Sequence, residues 1–184
     1  MRILIIGNGV GHDVQEVHAA DDDIVRRASK TEFEGLVRRR ITERGVQFIG
    51  EEARFGVRTI AQSLGPRWAN IDMLLAEREA RSVAEEQRKR TPIPMFLGEN
   101  AATGLTDEGY QRDLGDGWVQ IDHRVPSDEV REQYMFDKVM QGVRGTESVI
   151  VVCGSLHSKQ LANRLQSDPG NAVEVELWES ARHR

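Results

Sequence analysis

Only one cysteine, Cys153, occurs in the 184 residues, which excludes an intramolecular disulfide and any cysteine-rich zinc centre. A bound metal would have to rely on histidine and carboxylate. Long apolar runs are missing too: nowhere do about 18 apolar residues follow one another, so no membrane span is expected. Met1 leads through Arg2 straight into a short strand-like stretch without a signal-peptide core, and a cytoplasmic location is the expectation. Nor is there an excess of positive charge. With a net charge of -5, the chain is a poor match for a nucleic-acid backbone, and no nucleic-acid partner is expected. The basic runs Arg38-Arg39-Arg40 and Arg88-Lys89-Arg90 lie in Glu-rich, helix-like segments and read as solvated faces laced with ion pairs.

An apolar fraction of 39% beside a charged fraction of 30% describes a globule with one core, and the length suits a single domain over residues 1–184. Arg2 to Ile6 is a continuous apolar run stopped by Gly7, the pattern of a strand buried on both faces. Helical spacing follows from Ile24 to Arg44, interrupted near Gly35, and Val46 to Ile49 gives a second strand before Gly50-Glu51-Glu52. A β-α-β order implies a parallel pair with a right-handed connection.

Further on, the spacing predicts a helix over Ala53 to Leu64, a strand over Trp68 to Met73, and a charged helix from Leu74 to Arg90 closed by Pro92 and Pro94. The glycine-rich stretch 95–117 is expected to be the least ordered part, a lid or mobile loop. Trp118 to Ile121 alternates like a strand, and Ser127 is expected to cap a helix reaching Gly142. Val149 to Cys153 is a second strong buried strand turning into a helix at Gly154, and Val173, Val175 and Leu177 alternate with Glu174 and Glu176 as in an edge strand. The expected fold is α/β, a mostly parallel central sheet with helices on both faces.

The turn Gly7-Asn8-Gly9-Val10-Gly11-His12 follows a strand, as a dinucleotide fingerprint would, but His12 stands where the third glycine belongs. Two readings remain, a structural glycine turn and a site that uses His12. Open parallel sheets put ligands beyond the carboxyl ends of their strands, and Glu51 and Glu52 end the second strand at that same rim. Carboxylates beside imidazole can hold a hard divalent ion or transfer a proton. Equally, the two acids could be the first turn of the next helix. His157 falls in the first turn of the helix after Gly154, where the positive helix end favours neutral imidazole, suited to a metal ligand or a general base. Ser155 lacks the G-x-S-x-G setting of a nucleophile, and Cys153 reads as a buried strand residue. Arg131, expected in the first turn of its helix, answers either a surface acid such as Asp128 or Glu129, or a buried acid or anionic ligand. Asp122 and His123 form a further candidate pair.

Taken in order, Gly9 to His12, Phe48-Ile49-Gly50-Glu51-Glu52, Arg131 to Met135 and Gly154 to His157 resemble the motifs of the Tiki/TraB and erythromycin-esterase-like superfamily. The likeness spans residues 1 to 55 and 128 to 178, and the middle of the chain has no counterpart. What it implies is an α/β fold and, in several branches, hydrolysis of a peptide or ester bond, with metal in some branches and without it in others. A related haem-binding branch is not enzymatic.

The leading expectation is a hydrolase acting on a small-molecule or peptide substrate. Glu51 or Glu52 serves as general base, His12 and His157 bind a divalent ion (Mn, Co or Zn) or stabilise the oxyanion, and Arg131 holds an acid or an anionic substrate group. Glu51 and Glu52 would join His12 and His157 as metal ligands. The alternatives are a non-catalytic ligand, haem or metal carrier, and an interaction domain whose charged helices mediate homo-oligomer formation.

Overall fold

The computed structural model describes residues 1–9, 15–17, 24–53, 57–83, 89–94, 104–105, 109–115 and 118–179. His12 lies outside them. Strands β1 (Arg2–Asn8), β2 (Phe48–Glu51), β3 (Arg67–Asn70), β8 (Ser148–Gly154) and β9 (Ala172–Trp178) form one sheet in the order β3-β2-β8-β1-β9. Every pairing in it is parallel, with Val151 of β8 opposite Ile5 on one side and Gly50 on the other. Helix α1 (Ile24–Arg44) covers one face, while α3 (Pro126–Gly142) and α4 (Ser155–Gln166) cover the other.

The two-residue period of the strands sorts the core. Ile3, Ile5, Phe48, Val149 and Val151 meet Met135, Val139, Leu161 and Leu165 from α3 and α4. Leu4, Ile6, Ile49, Ile150 and Val152 meet Phe33, Leu36 and Val37 from α1. Each such side chain contributes roughly 1.5–3 kcal/mol by leaving water. Close approach explains two glycines: a Cβ on Gly142 would stand 2.3 Å from the Phe48 ring, and one on Gly7 would stand 3.2 Å from the Ser155 backbone at the start of α4. The second contact seats the first turn of α4 directly against the end of β1.

Helix α1 runs unbroken through Gly35. The helix expected over Ala53 to Leu64 is not found among the described residues: Val57 and Arg58 belong to no helix or strand, Thr59 bridges to Glu16, and a single 3-10 turn covers Ala61–Ser63. Val57, Thr59 and Ile60 are β-branched, which weakens helix formation, and this path delivers the Thr59 hydroxyl to Glu51. The long charged helix is also corrected. Helix α2 covers only Leu75–Ala80 and buries none of its residues, so packing gives it nothing to grow on, and the chain turns at Ser82 with φ of 54°. Strand β3 ends at Asn70 and so stops short of Met73. The α3 cap is Val125, not Ser127, with the Asp128 carboxylate accepting from the Val125 amide at 2.9 Å.

A second, antiparallel sheet is the main feature that the sequence did not announce. Strands β4 (Arg90–Pro94), β5 (Gly104–Leu105), β6 (Gly109–Gly115) and β7 (Trp118–His123) pair in the order β4-β7-β6-β5. Arg90, Pro92 and Pro94 therefore belong to an edge strand, not to a helix and its terminator, and the described parts of the stretch 95–117 are strands. The His123 amide bonds to the Lys89 carbonyl at 3.0 Å, so in this register Thr91 and Ile93 face β7 with their amides while Pro92 and Pro94 occupy the outward positions. Among the described residues no helix is long and apolar enough to cross a membrane.

Candidate functional site

Strands β2 and β8 run side by side, and their carboxyl ends meet the first turns of α3 and α4. Glu52 continues the ladder beyond β2, its amide bonding to the Val152 carbonyl at 2.8 Å. Because successive residues face opposite sides of a sheet, Glu51 and Glu52 point apart. Glu51 turns to the α1 side, where the Thr59 hydroxyl and the Trp68 indole donate to its Oε2 at 2.5 and 2.7 Å. Glu52 turns to the α3 and α4 side. Its Oε2 accepts from the Gly154 amide at 2.8 Å, and its Oε1 from Arg131 Nη2 at 2.6 Å. The two acids therefore cannot share a ligand, and only Glu52 belongs with His157.

Arg131 lies in the second turn of α3, past the region where the helix end would repel it, and donates to the buried acids Glu52 and Asp72; Asp128, expected as a surface partner, is itself buried, and only Glu129 is exposed. Besides Glu52 it reaches Asp72 Oδ1, through Nε at 3.3 Å and Nη2 at 3.1 Å, while Asp72 Oδ2 is held by Arg78 at 2.7 Å. Burial alone would lower the Arg131 pKa. The fields of Glu52 and Asp72 outweigh it, and the guanidinium holds its proton more firmly than an ordinary arginine.

The His157 imidazole is 4% exposed and lies between two sets of partners. Its Nδ1 stands 3.1 Å from Glu132 Oε1; its Nε2 stands 3.3 Å from Arg131 Nη1, 3.8 Å from Glu52 Oε1 and 3.9 Å from Asp128 Oδ1. Glu132 is gripped by Arg124, whose Nη1 and Nη2 reach its two oxygens at 2.6 and 2.7 Å. The hydrogen bonds to Glu132, more than its charge, raise the Arg124 pKa against the opposing effect of burial.

Asp72, Arg124, Asp128 and Glu132 were not anticipated. For two of them the signal was present: Asp128, Glu132, Met135 and Val139 recur at helical spacing and all are buried, so two acids sit on the apolar stripe of α3. Asp72 and Arg124 reach the cluster only through the tertiary fold. Asp122 and His123 are neighbours on β7 away from this cluster: Gln120 Nε2 donates to Asp122 Oδ1 at 2.6 Å, and His123 Nε2 lies 2.9 Å from the Thr91 hydroxyl of β4. Cys153 is fully buried, and burial, reinforced by the charges of Glu52 and Glu132, pushes its thiol well above the usual range, which keeps it from acting as a nucleophile.

A metal ion held by Glu52 and His157 does not fit these residues. The guanidinium of Arg131 stands between the Glu52 carboxylate and His157 Nε2, where the ion would have to lie, and both Glu52 oxygens already accept hydrogen bonds. Among the described residues no group of three His, Cys, Asp or Glu side chains is arranged to hold a metal. Compared with known proteins, the chain matches no family model, no curated protein and no solved structure.

Proposed function

We propose that this chain is a hydrolase that adds water across an ester or peptide carbonyl, with His157 as general base and Arg131 as the cation at the reaction centre. The observation that supports this reading most is the two-sided setting of His157, a carboxylate on Nδ1 and a guanidinium-carboxylate pair on Nε2, at the carboxyl ends of parallel strands. The base role expected for a glutamate passes to the histidine. Glu51 is on the other side of the sheet, and Glu52 has both oxygens engaged.

In the first step a water oxygen attacks the carbonyl carbon, its proton passes to His157 Nε2, and the carbonyl electron pair becomes an oxyanion beside Arg131. In the second the oxyanion re-forms the carbonyl, the bond to the leaving group breaks, and His157 returns the proton to that group. Among the described residues, the carboxylates Glu52, Asp72, Asp128 and Glu132 and the guanidiniums Arg78, Arg124 and Arg131 surround the imidazole. The contact between Arg131 Nη1 and Nε2 is long for a hydrogen bond, and little is lost when a water replaces it.

The test is a panel of aryl esters and aminoacyl anilides assayed with the parent protein and His157→Asn, before and after chelator treatment, with elemental analysis and a visible spectrum of the protein as purified. Turnover that survives chelation and disappears in His157→Asn is expected. Stoichiometric metal with activity lost on chelation would replace this mechanism with a metal-dependent one, and a Soret band would replace it with the haem carrier.

A further inference from the structure

Imidazole can act as a base at Nε2 only if the remaining proton is kept on Nδ1, and which nitrogen keeps it depends on the partner of the other. An ionised carboxylate accepts and never donates. Glu132, forked by Arg124 at 2.6 and 2.7 Å, therefore takes the Nδ1 proton of His157 as its third hydrogen bond, at 3.1 Å. Arg124 belongs to neither layer of the main sheet. It sits in the two-residue link between β7, which ends at His123, and α3, which starts at Pro126, and its Nη1 also lies 3.4 Å from the Leu156 carbonyl in the first turn of α4.

Among the described residues, the charged groups that face the imidazole are Asp128, Arg131 and Glu132 from α3, Glu52 from the end of β2, and Arg124 through Glu132. In the Arg124–Glu132 pair the carboxylate is buried and the guanidinium partly so, and the desolvation of Glu132 offsets part of their attraction.

We infer that Glu132 and Arg124 are positioning residues: together they hold His157 as the Nδ1–H tautomer with its Nε2 lone pair toward Arg131 and Glu52, and Arg124, in the link that leaves β7, makes that state depend on the second sheet keeping its place against α4. The catalytic consequence rests on the reading of His157 as a base; the tautomer does not.

The experiment is long-range nitrogen–proton NMR of uniformly labelled protein, with the His157 signals assigned by their loss in His157→Asn, alongside ester turnover. In the parent, Nδ1 should carry the proton and Nε2 should show the shift of a bare nitrogen. Glu132→Gln, whose amide can donate to Nδ1, should move the proton to Nε2 and lower kcat by ~10²-fold with KM little changed. Arg124→Met should loosen the same preference, and Arg124→Lys should restore part of it. If Glu132→Gln does not fold, Glu132→Met, which takes the acceptor away from Nδ1, supplies the same readout with a smaller shift.

A parent protein with the proton on Nε2, or an unchanged tautomer in folded Glu132 variants, overturns the positioning role whatever the activity. The expected tautomer in a protein that hydrolyses nothing leaves that role standing and sinks the hydrolase.

Discussion

Glu51 and Glu52 follow one another in the chain and are almost equally buried, at 0% and 2% exposure, yet the sheet separates them into different chemistries. Glu51, on the α1 side, accepts at its Oε2 from two neutral donors, a hydroxyl and an indole. Glu52, on the α3 and α4 side, is met by a guanidinium and opens onto a chain of charges running from Arg78 through Asp72, Arg131 and His157 to Glu132 and Arg124. Burial by itself does not mark a residue as functional. The Thr59 and Trp68 donors hold Glu51 at its strand end, whereas Glu52 is joined to ionisable side chains.

The comparison is broken most directly at Arg131. Arg131→Met strips a cation from Glu52 and Asp72 together and should cost about 3–5 kcal/mol in urea unfolding, the usual penalty for leaving one half of a buried pair. A loss no larger than that of Glu51→Gln would erase the distinction between the two sides.

Next comes Glu52→Gln, in which the amide keeps the shape, its carbonyl can still accept from Gly154, and Arg131 retains Asp72. Turnover should fall ~10²-fold through the lost charge beside Arg131 and His157, while the thermal midpoint moves little. Should the midpoint drop steeply and turnover survive, Glu52 is a structural partner and the hydrolase reading goes with it. Glu51→Gln sharpens the contrast from the other side: the amide oxygen still accepts from Thr59 and Trp68, so a cost near 1 kcal/mol and unaltered turnover are expected.

The smallest effect belongs to the half-buried pair of Arg40 with Glu176, which ties α1 to β9 at 2.8 Å. A hydrogen bond from Arg40 lowers the Glu176 pKa below that of an ordinary glutamate. With the folded value depressed, the pair stabilises the protein above the unfolded pKa, about 4.3, and its contribution vanishes as pH falls through the lower folded value. Glu176→Gln should therefore remove no more than ~1 kcal/mol at pH 7 and almost nothing near pH 2, and the difference should shrink in 1 M salt, as measured by urea midpoints.

How far the sequence revealed this arrangement depended on the range of the interaction. The runs Arg2 to Ile6 and Val149 to Cys153 are readable as buried strands because both faces of the sheet demand apolar residues, and their glycine stops locate the rim. That Glu51, Glu52 and His157 lie at strand ends was readable from the runs; which of the two acids faces His157 was not, because that depends on the register of β2 in the sheet. Asp128 and Glu132 were readable in principle from their spacing with Met135. Asp72 was not, since its contact with Arg131 spans 59 residues and leaves no local periodicity. The second sheet was missed because proline and glycine were read as breakers, and in an edge strand with outward-facing prolines they break nothing.

Those prolines bear on how the molecule behaves in a crowded solution. Of the outward positions Arg90, Pro92 and Pro94, two have no amide to offer, so an incoming strand would find carbonyls but not the alternating donors that a growing β-ladder needs. Each ring also fixes its backbone angle and resists the flattening that stacked fibres require. The border of the second sheet thus carries its own guard against templated self-association, in the same strand that pairs with β7 and, through the link at Arg124, leads to the histidine.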